Sequence, residues 1–262
     1  MAILNCMVRS NLLQMDTPLQ VVIPDNRDGK TPRPQKVVYL LHGYGRASDQ
    51  WLRETFVEKD CARYGFIAVC PDVGHSFYTD LQYGQPFFSY VTDELPEIVN
   101  RLFCLNPARE DTFVAGLSMG GYGAMKIALT YPDRYAAAGS FAGALDVKML
   151  MGAMGKDENS LAYKEAAGMF GVGGTIPESD DPLALLEDVG LLPRDERPRL
   201  YQTVGKQDQI YPLNTAFHKK AEELGMPLLY QEWDGEHNFK FWTQSLSRCL
   251  QFFATDQVPE LP

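Results

Sequence analysis

Histidine and basic side chains are both scarce in this sequence: 262 residues contain four His, and 24 Lys and Arg stand against 34 Asp and Glu, a formal charge of −10. That balance excludes a broad nucleic-acid surface, because neutralising phosphates takes clustered cations. An anionic substrate would meet an unfavourable average field unless a local Arg answered it. Cysteine is sparse too. Cys6, Cys61, Cys70, Cys104 and Cys249 are odd in number, scattered and free of any CxxC pair, so neither a disulfide framework nor a zinc site is expected. Cys70 and Cys104 lie in apolar runs and read as small core residues. Long apolar runs are missing: no stretch approaches a membrane-spanning length. Residues 1–15 lack the basic, apolar and small-residue regions of a secretory leader. The expectation is a cytoplasmic protein with no membrane or nucleic-acid partner.

What is present suits a globular protein, with 45% hydrophobic and 22% charged residues, too apolar for disorder and too charged for a membrane core. Residues 3–8 and 19–23 predict two strands of an opening hairpin. A loop rich in Pro, Asp, Gly and Lys follows over 24–35. Residues 37–41 form a continuous apolar run of the kind that lies buried in a parallel sheet. From there strands and helices alternate, the pattern of a parallel sheet with crossover helices. Helices are expected at 51–64, 90–103 (with Pro96 an irregularity), 120–129, 213–224 and 239–253, and strands at 66–70, 112–115, 135–141, 200–204 and 228–233. Residues of about 145–198 break the rhythm and predict an insertion above the sheet. No repeat or second domain is visible, so 1–262 reads as one α/β domain.

Gly116-Leu117-Ser118-Met119-Gly120 fits the nucleophile-elbow pattern G-x-S-x-G between a predicted strand and a predicted helix. Such a turn lifts the serine hydroxyl clear of the sheet and aims the first N–H groups of the helix at developing negative charge. A serine needs a base to accept its proton. Of the four histidines, His42 and His75 precede Ser118, and His218 falls on the polar face of a helix. His237, after the last strand, alone satisfies the chain order Ser, acid, His of the α/β-hydrolase fold. The acid that orients it should follow a strand between them, which selects Asp208, with Asp234 and Glu236 as rivals beside His237. The oxyanion donors expected are the N–H of Met119 and, from the loop His42-Gly43-Tyr44-Gly45, that of Tyr44 or of Gly43. His42 then reads as a buttress of that loop. Activity is expected to rise with pH as His237 gives up its proton, since only the neutral imidazole can act as base.

These residues, extended by Gly121-Tyr122-Gly123-Ala124 and Glu236-His237, resemble the α/β-hydrolase esterase family that includes S-formylglutathione hydrolases, tributyrin esterases and feruloyl esterases. Ser76-Phe77-Tyr78-Thr79-Asp80 and Thr92-Asp93-Glu94-Leu95-Pro96 look most like the bacterial tributyrin type. The resemblance covers nearly the whole chain. It implies a mostly parallel sheet with helices on both faces, and hydrolysis of a small-molecule ester, short-chain acyl or an acetyl or feruloyl ester of a carbohydrate. It also implies an acyl-enzyme on Ser118 and no metal or organic cofactor. Thioester hydrolysis of S-formylglutathione, or acyl transfer to an alcohol, would use the same groups. Related esterases are often oligomeric, so a homo-oligomer is among the expectations. Tyr44, Trp51, Phe77, Tyr78, Phe141 and Trp233 are the aromatic candidates for the pocket.

Overall fold

The computed structural model describes residues 1–25, 36–154, 157–173 and 175–262. Eight strands form one sheet in the order β1-β2-β4-β3-β5-β6-β7-β8. The opening hairpin pairs β1 (Ala2–Ser10) with β2 (Met15–Ile23), and β2 runs antiparallel to β4 (Phe66–Pro71). Parallel pairing then joins β4, β3 (Lys36–Leu41), β5 (Thr112–Leu117), β6 (Ala137–Phe141), β7 (Arg199–Gly205) and β8 (Leu228–Trp233). Residues 37–41, 66–70 and 113–117 are buried throughout, as strands covered on both faces must be. Two apolar clusters account for the cover. One lies under α5 (Met119–Thr130) and α4 (Leu95–Phe103), and the other under α2 (Val57–Tyr64) and α10 (Phe239–Thr255). Among the described residues no helix is long and apolar enough to cross a membrane. From residue 26 on, the expected 24–35 loop falls outside the described residues.

Three local expectations are corrected. The helix expected at 51–64 is two, α1 (Gln50–Glu54) and α2. Thr55 divides them: its backbone is extended, its hydroxyl donates to Trp51 O, and its Oγ1 accepts from Val57 N at 3.2 Å. A side chain that serves the backbone in this way competes with the helical ladder. Between β4 and β5 the chain forms α3 (Phe87–Ser89), then a π-turn over Tyr90–Glu94, then α4. The irregularity thus precedes Pro96, which has no N–H to offer the carbonyl four residues back. That carbonyl, of Thr92, receives Arg134 instead. Cys104, expected in the core, is exposed; it ends α4 in the left-handed region with φ 52°, where its side chain turns away from the apolar face. Cys70 is buried as expected.

The segment between β6 and β7 carries α6 (Val147–Met154), α7 (Leu161–Phe170) and α8 (Pro182–Gly190). It is tied down from α5. Tyr122 donates to Asp180 O at 2.7 Å, and Lys126, 2% exposed, pairs with the Asp180 carboxylate, donates to Tyr78 O at 2.9 Å and sits 4.1 Å from the Phe88 ring centre. Burial pulls the Lys126 ammonium below its usual range and Asp180 opposes that pull. Removing one member of a buried pair leaves the other uncompensated. Lys126→Met is expected to cost about 2–3 kcal/mol in urea unfolding; a loss under about 0.5 kcal/mol, the usual scale of an exposed site, would remove the strut from the account.

Candidate active site

Ser118 follows β5 with φ 53° and ψ −117°, a region a side chain enters only under tertiary constraint. The constraint is close backbone packing: a Cβ on Gly120 would lie 2.2 Å from Leu41 O, and one on Gly116 would lie 2.3 Å from Gly120. The two glycines of the pentapeptide therefore let the turn seat against the end of β3, the strand that runs into the 42–45 loop. α5 starts at the next residue, Met119.

Ser118 Oγ lies 3.0 Å from His237 Nε2, and His237 Nδ1 lies 2.8 Å from Asp208 Oδ2. With the proton on Nδ1, the ring donates to the carboxylate and leaves Nε2 free to accept from the serine. The Asp208 side chain is fully buried, and its other oxygen accepts from Ile210 N at 2.9 Å. The rings of His237 and Trp242 meet edge to face at 4.9 Å. The loops after β7 and β8 are fastened together, since Gly235 N donates to Gln207 Oε1 at 2.7 Å and Gln207 N donates to Gly235 O at 3.1 Å. The rival carboxylates face elsewhere: Asp234 accepts from the Gln207 amide and Glu236 from Asn238.

Of the two loop donors, Gly43 N is turned to Gln50 Oε1 at 3.4 Å. Tyr44 N and Met119 N donate to no group among the described residues; for Met119 this follows from its place in the first turn of a helix. His42 is fully buried. It accepts from Val73 N through Nε2 at 3.1 Å and donates through Nδ1 to Gly43 O at 2.9 Å, while Tyr78 donates to its carbonyl at 3.0 Å. Burial holds its pKa below the ordinary value, and the neutral ring braces the loop. His75 is paired with Glu165. His218, expected in solvent, is 25% exposed and stacks on Tyr230 at 4.0 Å. Neither reaches Ser118.

A pocket of about 420 Å³ opens over Ser118 and His237, walled by the rings of Tyr44 and Phe77, by Ala144, Leu150, Leu161, Ala162 and Ile210, and by the amide of Gln209. Among the described residues no Lys, Arg, Asp or Glu lines it. Leu150, Leu161 and Ala162 come from the segment between β6 and β7, which therefore forms part of the wall. Of the six aromatic candidates only Tyr44 and Phe77 face this space. Trp51 packs edge-on against Phe141 and Trp233 stacks on Phe241, both in the core; Tyr78 stands behind the loop. The aliphatic wall went unread in the sequence because nothing in its composition sets it apart from ordinary core.

This arrangement can activate a hydroxyl for attack on a carbonyl carbon, with the unbonded N–H groups of Met119 and Tyr44 the candidate donors to the charge that develops on oxygen. No group of His, Cys, Asp and Glu among the described residues could hold a metal ion.

Comparison with known proteins agrees in kind. The Esterase family model matches residues 10–253. An acetyl esterase from Caldicellulosiruptor saccharolyticus is 26% identical over 97% of this chain and 98% of its own. The serine hydrolase FphF of Staphylococcus aureus superposes with a TM-score of 0.85 at 28% identity, covering 97% of this chain and 99% of that one. An S-formylglutathione hydrolase (FrmB) from the same organism gives 0.83 at 27%, with the same coverage.

Proposed function

This chain belongs to the Esterase family, and on that premise we propose that it hydrolyses uncharged carboxylic esters of short acyl chains through an acyl-enzyme on Ser118. In this reading His237 Nε2 takes the Ser118 proton as Oγ attacks the ester carbonyl carbon. The resulting oxyanion accepts from Met119 N–H and Tyr44 N–H. The C–O bond to the alcohol breaks as His237 returns the proton to the departing oxygen. Water then repeats the sequence, His237 taking its proton, and releases the carboxylic acid and free Ser118. Asp208 holds the imidazole in the required tautomer and stabilises it when protonated.

The observation that carries the choice of substrate is the lining of the pocket. Leu150, Leu161, Ala162, Ala144 and Ile210 offer apolar surface, and the described lining holds no cation, in a chain whose net charge is −10. A glutathione thioester brings two carboxylates, whose desolvation no described side chain there would offset. An acetyl or butyryl ester brings none, which fits the acetyl esterase likeness. The expected result is a kcat/KM for p-nitrophenyl acetate and butyrate at least about tenfold above that for S-formylglutathione, a difference of roughly 1.4 kcal/mol in transition-state binding. The reverse order would make the thioester the better assignment. A feruloyl ester in the same series tests whether a planar aryl acyl group enters between Tyr44 and Phe77.

A further inference from the structure

One wall of the pocket is weakly anchored. α7 contributes Leu161 and Ala162 to the pocket, yet of its ten residues only Met169 is buried. Its backbone meets the core through the Met169 carbonyl, which accepts from Gln82 N at 3.3 Å. Behind it lies a second cavity of about 310 Å³, bounded by Met151, Tyr163, Ala166, Ala167, Phe170 and Ile176. The helix thus stands between two spaces, with its apolar grip on the core confined to its C-terminal half, where Met169 is buried and Ala166 and Phe170 pack partly buried.

What fastens it is polar. Glu165, midway along α7, accepts from the Tyr44 hydroxyl through Oε2, while its Oε1 lies 2.8 Å from His75 Nδ1. The Tyr44 and His75 rings stack with centres 4.3 Å apart. The carboxylate is mostly sheltered, at 17% exposure, which strengthens such bonds relative to open water. Partial burial and this carboxylate together push the Tyr44 hydroxyl up to about 12. Tyr44 is also the residue whose backbone N–H is proposed to hold the oxyanion, so the clasp joins this wall to the 42–45 loop.

We propose that Glu165, clasped by Tyr44 and His75, is a specificity-determining residue: it holds α7 forward against the pocket and so confines the enzyme to short acyl or alcohol groups. Releasing the clasp lets α7 retreat into the space behind it, and the pocket then admits longer chains. Glu165 acts through the position of Leu161 and Ala162 and takes no part in the chemistry. The inference rests on the hydrolytic reading for its kinetic test but not for its structural one.

The experiment compares Glu165→Ala, Glu165→Gln and His75→Ala with the parent protein on p-nitrophenyl acetate and p-nitrophenyl octanoate. The ratio of kcat/KM for octanoate over acetate is expected to rise about tenfold in Glu165→Ala, chiefly through a lower KM for octanoate. His75→Ala should show a smaller rise. Glu165→Gln keeps an acceptor for Tyr44 and should recover most of the parent ratio. A merely structural role would lower both rates together and leave the ratio alone, so a rise below about threefold in Glu165→Ala would overturn the proposal. Hydrogen exchange of the α7 amides provides the readout that does not need turnover. If the parent cleaves neither ester, the hydrolytic reading falls, and the clasp is judged on exchange. Faster exchange in Glu165→Ala with recovery in Glu165→Gln supports it, and equal exchange in all three proteins overturns it.

Discussion

Ser118→Ala is expected to lower kcat on the hydrolysed ester by on the order of 10⁴ to 10⁶, with the melting temperature changed little. The asymmetry follows from the setting of the residue. Its Oγ is within reach of a base whose other nitrogen is held by a buried carboxylate, so the whole acyl-transfer route passes through that atom. Its backbone, by contrast, is fixed by the approach of Gly116, Gly120 and Leu41, which Ala leaves untouched. Met119 N–H and Tyr44 N–H also remain, and as the proposed oxyanion donors they are expected to set the residual rate. Two measurements check this: steady-state turnover, and labelling of the folded protein by a fluorophosphonate, which should attach to Ser118 in the parent and vanish in the variant. Residual activity above about 1%, or labelling at another residue, would assign the nucleophile elsewhere.

Asp208→Asn is expected to cost about 10⁴ in kcat, the scale set by the equivalent exchange in the serine-protease template. An Asn amide nitrogen placed where Oδ2 now accepts would face His237 Nδ1 as a donor. The imidazole would then carry its proton on Nε2, the atom that must accept from Ser118. The packing penalty is small because the remaining oxygen can still accept from Ile210 N, as Oδ1 does at 2.9 Å. A KM left near its parent value with kcat collapsed would mark a loss confined to the transition state. If Asp208→Asn kept more than about a tenth of the parent kcat, Asp234 or Glu236 would have to swing onto His237, against their present contacts with Gln207 and Asn238.

The sequence carried the residues of the candidate site further than it carried their surroundings. Ser118, Asp208 and His237 were legible because each follows a strand of a parallel sheet, and strand ends on one edge converge whatever loops lie between. That Gly43 N turns to a side chain was not legible, because the partner, Gln50, reaches back to it from α1. Sheet and crossover helices followed from apolar periodicity. The break at Thr55 and the π-turn before Pro96 did not, since each turns on where one side chain finds its hydrogen bond. Cys104 was misread for a related reason: an apolar run was carried one residue past the end of its helix. The clasp of Tyr44 and Glu165 joins residues 121 apart in sequence, and nothing local to either one announces the other.

The acid loop and the base loop are cross-fastened through Gln207 and Gly235, and His237 lies 119 residues beyond Ser118. Contacts so distant along the chain form only when most of the molecule is already in place. The first two hundred residues hold Ser118 and six of the eight strands but neither Asp208 nor His237, so the proposed nucleophile gains its proposed acid and base only when the last two strands and their loops are in place.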